Sequence, residues 1–374
     1  MIPRALDDLN NYLKKGKVLV VFGPRQVGKT TLLKNFLSKT QLKYRFDNGE
    51  DFRITELFSS GNPDKLSEYA KGYELVVIDE AQKIPDAGSG LKMLIDNNPE
   101  LMVIATGSSS FELAGTVGEP LTGRKRTLTM FPVAQIELSE TLNRYDLKEK
   151  LEEFLVYGSY PEVITAESKE EKSRIITELT HSYLLKDIIA FDRIKNSRVI
   201  FDLLRMLAFQ TGSEVSLSEI GKNIGVDAKT VNRYIDILEK SFVIFRLTGF
   251  SRNLRKEIVK KNKYYFYDTG IRNALISNFN PLSIRNDIGQ LWENLMFIER
   301  LKRNSYKNVL LNSYFWRTWN QQEIDLVEER EGKLFGYEFK YGGKIPQAPA
   351  LWIENYSEAS FEVVNRANYL DFIL

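Results

Sequence analysis

Cysteine is absent from this chain, and histidine occurs once, at position 181. Together these absences remove disulfides, zinc fingers, iron–sulfur clusters and thiol catalysis, and they leave a Ser-His hydrolase without redundancy. His181 falls in an expected helix and is read as structural. No apolar run is long enough to span a bilayer or, at the N-terminus, to form a signal peptide, so a cytoplasmic protein with no membrane partner is expected. Any chemistry has to run on carboxylates, lysine, hydroxyls and bound metal. What is present suffices for two or three domains with real cores: 374 residues, 43% of them hydrophobic.

The net charge of +2 conceals an uneven distribution. Residues 182–263 carry sixteen Lys/Arg against nine Asp/Glu, so the remainder of the chain is net negative and the basic part is the middle.

Near the N-terminus, the short β-branched run Val18-Leu19-Val20-Val21-Phe22 reads as a strand buried on both faces. It leads into Gly23-Pro24-Arg25-Gln26-Val27-Gly28-Lys29-Thr30, with Thr31 following, and then into a helix expected from about Lys29 to Ser38. A G-x-x-x-x-G-K-[ST] loop between strand and helix turns its N–H groups inward around phosphates, and the helix N-terminus adds its positive dipole end. Lys29 is placed on the β/γ oxygens and the Thr30 hydroxyl on Mg²⁺. A second apolar run ends in Ile78-Asp79-Glu80. Asp79 is expected to hold Mg²⁺ and Glu80 to polarise the attacking water as a base. An additional strand is expected at Lys43–Asp47, between the two motifs. No guanine-reading N-K-x-D motif is found, so ATP is the expected nucleotide.

The strand Leu101–Ala105 runs into Thr106-Gly107-Ser108-Ser109-Ser110, hydroxyls at a strand's carboxyl end, where ligands of open α/β sheets bind. Ser108 is the expected sensor of the γ-phosphate or the water. A Ser-rich turn capping the next helix is the competing reading. Arg124, ahead of Arg126, is the expected arginine finger, acting in its own subunit or in a neighbour.

The basic middle has its own pattern. Ser216, answered by Glu219, opens a short helix, and Gly225-Val226-Asp227 turns the chain into a second, running from Ala228 to Lys240 with Val231, Tyr234, Ile235 and Leu238 on one face. Phe242–Phe245 and Tyr264–Tyr267 read as a hairpin. Between them stand Arg252, Arg255, Lys256, Lys260, Lys261 and Lys263, facing one acid, Glu257. This is the pattern of a winged helix. Lys229, Asn232 and Arg233 would lie near a DNA groove, with the wing on phosphates. A packing module between domains is the alternative, and DNA is expected ahead of RNA.

In the C-terminal third, an amphipathic helix over Gln290–Arg303 carries Glu293. Strands follow at Tyr314–Thr318, Glu323–Val327 and Lys333–Lys340. Glu338 and Lys340 share a face of the last strand, and Asp325 on its neighbour can meet them. With Glu293, such a set can bind Mg²⁺ and position a water for phosphodiester attack.

Taken in order, these motifs resemble a known family, the bacterial and archaeal ATPases with an N-terminal AAA-type P-loop domain and a C-terminal domain of unknown function, DUF4143. The marks are Gly23–Thr31, Ile78-Asp79-Glu80-Ala81-Gln82, Thr106-Gly107-Ser108-Ser109, and Gly123-Arg124 followed by Phe131-Pro132. Gly158-Ser159-Tyr160-Pro161-Glu162, Tyr183 with Lys186-Asp187, and Tyr265-Phe266-Tyr267-Asp268-Thr269-Gly270 complete them. The resemblance implies an ATPase core, a helical segment, a winged helix and a C-terminal fold similar to PD-(D/E)xK nucleases.

The expected fold is therefore α/β. A parallel-sheet P-loop ATPase core of the additional-strand, catalytic-glutamate type spans 1–139, a helical linker or lid 140–196, a winged-helix domain 197–280 and an α/β PD-(D/E)xK nuclease-like domain 281–374. The expected function is ATP hydrolysis coupled to nucleic-acid binding. Alternatives are an ATP-regulated, metal-dependent DNA nuclease and a non-enzymatic ATP-holding regulator or interaction scaffold. A protein partner or a homo-oligomer is compatible with all three.

Overall fold

A computed structural model describes residues 2–107, 121–184, 197–251, 261–319, 321–343 and 345–374. Ser108, Lys186, Asp187, Arg252, Arg255, Lys256, Glu257 and Lys260, all singled out above, lie outside the described residues. The chain forms two compact units, one of residues 1–131 with 240–242, the other of 132–239 with 243–374.

The first unit is a parallel five-stranded sheet ordered β2-β3-β4-β1-β5. Its strands are β1 (Val18–Phe22), β2 (Tyr44–Asn48), β3 (Leu75–Asp79), β4 (Met102–Gly107) and β5 (Lys125–Thr129). Every residue of β1 and β3 is buried, as uninterrupted apolar strands covered by helices on both faces must be. One face packs Val18, Val20, Val76, Ile78 and Val103 against Phe58, Leu66, Leu91 and Leu94 from the helices Phe52–Ser59, Pro63–Ala70 and Ala87–Asn97. A strand does separate the P-loop strand from the Asp79 strand, but it is β4, paired with β1 on one side and β3 on the other. Tyr44–Asn48, the segment expected in that role, pairs with β3 alone and forms the edge. Its half-exposed Tyr-Arg-Phe-Asp-Asn composition suits an edge and not a central strand.

The second unit begins with short helices between Gln135 and Glu178 and continues through a π-helical stretch, Leu179–Leu184, where the His181 ring lies 5.4 Å from Phe201. Lys172 is buried and pairs with Glu153 at 2.6 Å. Three helices follow, Ser197–Phe209, Leu217–Ile224 and Ala228–Lys240. The Ser216 hydroxyl accepts from Glu219 N, Gly225 takes the left-handed conformation (φ 75°), and Asp227 accepts from Thr230 N at 2.7 Å. These are the caps expected from the sequence.

A seven-stranded sheet, β12-β11-β10-β9-β7-β8-β6, then runs through the whole unit. It contains β6 (Glu214–Val215), β7 (Ile244–Gly249), β8 (Asn262–Phe266), β9 (Asn312–Arg317), β10 (Glu323–Arg330), β11 (Lys333–Phe339) and β12 (Ser360–Val364). The hairpin β7–β8 is antiparallel, but β7 also pairs in parallel with β9 through Thr248–Tyr314 and Gly249–Phe315. The segments read from sequence as two domains thus share one sheet. The long helix Ile288–Tyr306 packs beside it and buries Arg300, whose guanidinium donates to both oxygens of Glu328 at 2.8 and 2.9 Å.

Two sequence marks interlock here. Asp268 caps the helix Thr269–Leu275 by accepting from Ile271 N, and also accepts from Ser159 N at 2.7 Å. Thr269 Oγ1 donates to Phe154 O, and Asn273 donates to Leu155 O and Val156 O, satisfying carbonyls at the end of the helix Leu151–Tyr157. A Cβ at Gly270 would sit 2.0 Å from Tyr157 O, so only glycine permits this approach. Gly270→Ala is therefore expected to lower stability by about 1–3 kcal/mol or more, read as a shifted midpoint in urea unfolding.

Asp287 is held by two arginines, Arg285 at 2.8 Å and Arg272. Burial works to raise its pKa, but the hydrogen bonds from Arg285 and Arg272 prevail and hold it at about 2. A depressed carboxylate stabilises the fold above its unfolded pKa and loses that contribution as pH falls through the folded value. Asp287→Asn is expected to flatten the fall in stability between about pH 4 and pH 2, measured by urea unfolding across that window.

Candidate functional site

The G-x-x-x-x-G-K-T segment forms the turn between β1 and the helix Lys29–Leu37. Gly28 caps that helix at φ 98°, Gln26 adopts φ 58°, and a Cβ at Gly23 would lie 2.0 Å from Met130 O. The two glycines are thus fixed by backbone geometry and by crowding. Pro24 and Val27 are buried, Arg25 is half-buried, and Gln26 and Thr31 are exposed. Lys29, 5% exposed, donates to Gly23 O at 2.9 Å and Pro24 O at 2.7 Å, so its ammonium sits inside the loop.

At the same end of the sheet, Asp79 closes β3 with 2% exposure. Thr30 Oγ1 donates to one of its oxygens at 2.7 Å, and Thr106 Oγ1 and Glu80 N donate to the other. Glu80 follows at φ 52°, ψ 39°, a strained conformation for a non-glycine residue, with its carboxylate accepting from Gln82 Nε2 and its N–H donating to Thr106 Oγ1 at 3.1 Å. A hydroxyl beside a buried carboxylate offers hard oxygen donors, the chemistry Mg²⁺ prefers when phosphate oxygens complete its shell. Thr30 and Asp79 therefore fit that ion, whose charge would neutralise phosphate oxygens.

Two contributions escaped the sequence reading. Thr106, fully buried and part of the hydroxyl cluster, bonds to Asp79 and Glu80; Ser108 lies outside the described residues. Arg4 has no motif around it, yet it donates to Val27 O and to Phe131 O at 2.7 Å, bracing the loop from behind. Arg124 is not brought to the loop. Its carbonyl accepts from Val18 N, at the far end of β1, and its side chain pairs with Asp96 at 2.7 Å. About 13 Å of strand separates it from the P-loop, so an arginine finger from Arg124 within its own chain is not met. Arg126 lies over the Tyr12 ring, 4.7 Å from its centroid.

The second set of expected residues lies in the other unit, and the structure gathers it around a lysine. Glu293 accepts from Tyr265 OH at 2.6 Å and Lys263 Nζ at 3.1 Å. Asp325 accepts from Phe339 N at 2.8 Å, and Glu338 pairs with Lys340 at 2.7 Å. Lys263, read above as part of a basic wing on phosphates, is 1% exposed. Burial and then repulsion from Asp325 push Glu293 up to about 7, against the pull of Lys263 and Tyr265. Burial likewise raises Asp325 and Glu338. On the helix pair, Lys229 and Arg233 are exposed, whereas Asn232 is half-buried and its amide bonds to Asp236 at 3.4 Å. Lys261 is exposed.

Thr106→Val strands Asp79 with one donor fewer. It is expected to cost about 1–3 kcal/mol in urea unfolding, while Thr106→Ser stays near wild type.

Comparison with known proteins agrees with the order of these elements. Residues 15–139 match a family described as an AAA domain, 148–282 a domain of unknown function (DUF8612) and 288–358 a domain of unknown function (DUF4143). The chain is 29% identical over 336 residues to the uncharacterized protein Rv2008c of Mycobacterium tuberculosis, covering 89% of this chain and 72% of that protein. It is 23% identical over 345 residues to the uncharacterized protein MJ1544 of Methanocaldococcus jannaschii, covering 87% and 75%. Among solved structures, the Thermotoga maritima RuvB Holliday junction branch migration motor aligns at TM-score 0.29 and 16% identity, over 66% of this chain and 86% of that one. Among the described residues no helix is long and apolar enough to cross a membrane. The chain thus matches an AAA domain in its N-terminal third and DUF4143 in its C-terminal third, the pairing that the sequence motifs imply.

Proposed function

We propose that the first unit hydrolyses Mg·ATP and that its nucleotide state governs nucleic-acid binding by the second. The observation that carries the first part is the Asp79 carboxylate, buried at the end of its strand and hydrogen-bonded by the first hydroxyl of the P-loop helix at 2.7 Å. A buried carboxylate beside a P-loop hydroxyl is the arrangement a site for a divalent cation needs. In this reading the loop amides and Lys29 bind the phosphates, Thr30 and Asp79 hold Mg²⁺, and Glu80 takes a proton from the attacking water. Glu80 has the position for it, one residue beyond Asp79, with its backbone fixed by Thr106 and its carboxylate steered by Gln82.

The second part rests on topology and charge. The order helix, β6, helix, helix, β7, β8, with β6 paired to β8, supports a winged-helix reading. Lys222, Lys229 and Arg233 project from its two later helices, and phosphate contacts by such residues give affinity without sequence reading. The helix Ile288–Tyr306 followed by the β9–β10–β11 meander, with β12 added in parallel, supports a nuclease-like fold for the rest. Cleavage forms no part of the proposal.

Phosphate release from Mg·ATP, with and without duplex DNA, tests both parts. Glu80→Gln is expected to retain ATP binding and to lose turnover by roughly 10²–10⁴-fold. Lys29→Ala is expected to lose both. Turnover indifferent to Glu80 would end the hydrolase reading, and DNA affinity equal in the nucleotide-free, ADP and ATP states would end the coupling.

A further inference from the structure

A nuclease-like fold with Glu293, Asp325 and Glu338 implies a divalent cation between carboxylates, and the residues present do not fit one. The place where three of the carboxylates face one another is taken by the ammonium of Lys263. Its Nζ lies 2.5 Å from Glu323 Oε1, 3.1 Å from Glu293 Oε1 and 3.7 Å from Asp325 Oδ1. The Phe315 ring covers it, with its centroid 5.5 Å away. Tyr265 takes a further lone pair of Glu293, and the fourth carboxylate, Glu338, is turned to Lys340 at 2.7 Å. No group of three or more potential ligands converges on a metal position among the described residues.

We infer that Lys263 is an internal cation standing in place of the metal, so that this carboxylate cluster is occupied from within and holds no divalent ion. The lysine reaches the cluster because β8 is hydrogen-bonded to β7 and β7 to β9, which sets the hairpin against the start of β10 and the helix carrying Glu293. An ammonium is a compact charge with three donors and suits two carboxylate oxygens at hydrogen-bond distances with a third within ion-pair range, whereas Mg²⁺ needs oxygens at about 2.0–2.1 Å. The consequence is that the nuclease-like half joins the hairpin to the sheet and does not cut phosphodiesters by metal-activated water. This inference is independent of ATP hydrolysis.

One oxygen leaves the matter open to experiment. Glu338 Oε2 is buried without a hydrogen-bond partner, and a metal held by Glu338 and Asp325 would be felt there. Mn²⁺ binding to the full chain without nucleotide, followed by the electron paramagnetic resonance of unbound Mn²⁺, separates the two cases. Wild type and the double variant Asp325→Asn, Glu338→Gln are expected to bind Mn²⁺ identically, any contribution of Asp79 being common to both. A Mn²⁺ ion bound by wild type and lost in the double variant would overturn the inference. In the other direction, Lys263→Met strands the carboxylates, and Mn²⁺ is expected to occupy them, adding one equivalent of bound ion. Where Lys263→Met alone does not fold, Lys263→Met with Glu323→Gln removes one of the stranded charges and serves the same measurement. A folded lysine variant that gains no Mn²⁺ would equally overturn the inference.

Discussion

The first unit turns on Asp79, because the residues that meet there come from strands that are not neighbours. β4 lies between β1 and β3, so the P-loop and the carboxylate at the end of β3 are a full strand apart. That gap is bridged by side chains. Thr30 reaches Asp79 from the P-loop helix, and Thr106 reaches it from the inserted strand itself. Each of three strand ends thus contributes to one carboxylate, and the loop is fixed on its other side by Arg4. Removing water from Asp79 is costly, and the three donors that reach it offset that cost.

The marks that distinguish the second unit turn out to have packing duties. Gly158 and Gly270 admit no side chain, since a Cβ at either would meet Asp268 or Tyr157 O at 2.0 Å. Asp268 meanwhile caps one helix and receives Ser159 N from the turn after another. Burial raises its pKa against the pull of Lys302 and of the Ser159 N–H, so the carboxylate is held by backbone donors at some electrostatic cost. These residues are held together by geometry, and a catalytic role is not needed to account for them.

What the sequence made legible follows the range of the interactions. The P-loop, the Asp79-Glu80 pair and the caps at Ser216 and Asp227 are written within a few residues of where they act, so strand, turn and helix signals suffice. The three strands after Tyr306 were readable from alternation and turn residues. Contacts between distant segments were not. Tyr44–Asn48 and Met102–Gly107 are both plausible neighbours of β1 by composition, and only the helices packed on each face decide which is inserted. Lys263 illustrates the limit most sharply, since in sequence it closes a run of lysines on a hairpin. The alternation that turns it inward depends on β8 joining a sheet shared with β9 and β10, a long-range pairing that no local pattern reports.

Two buried carboxylate centres in one chain are therefore handled in opposite ways, and the difference bears on what each half can do. Around Asp79 the described donors are two hydroxyls and an amide. Around Glu293, Glu323 and Asp325 an ammonium occupies the place between the carboxylates and offsets part of their charge. The first set leaves room for a cation from outside, as the proposed ATPase reading requires. An internal cation makes the centre complete at all times, and because breaking a buried ion pair leaves an uncompensated charge, it resists change. Lys263 also subtracts from the basic surplus of the middle segment, as does Arg246, which pairs with Asp236 and Glu239 at 2.5 and 2.7 Å. Among the described residues of the helix pair and the hairpin, Lys222, Lys229, Arg233 and Lys261 are exposed. The proposed nucleic-acid contact therefore rests on that part of the unit and not on the carboxylate cluster beside it.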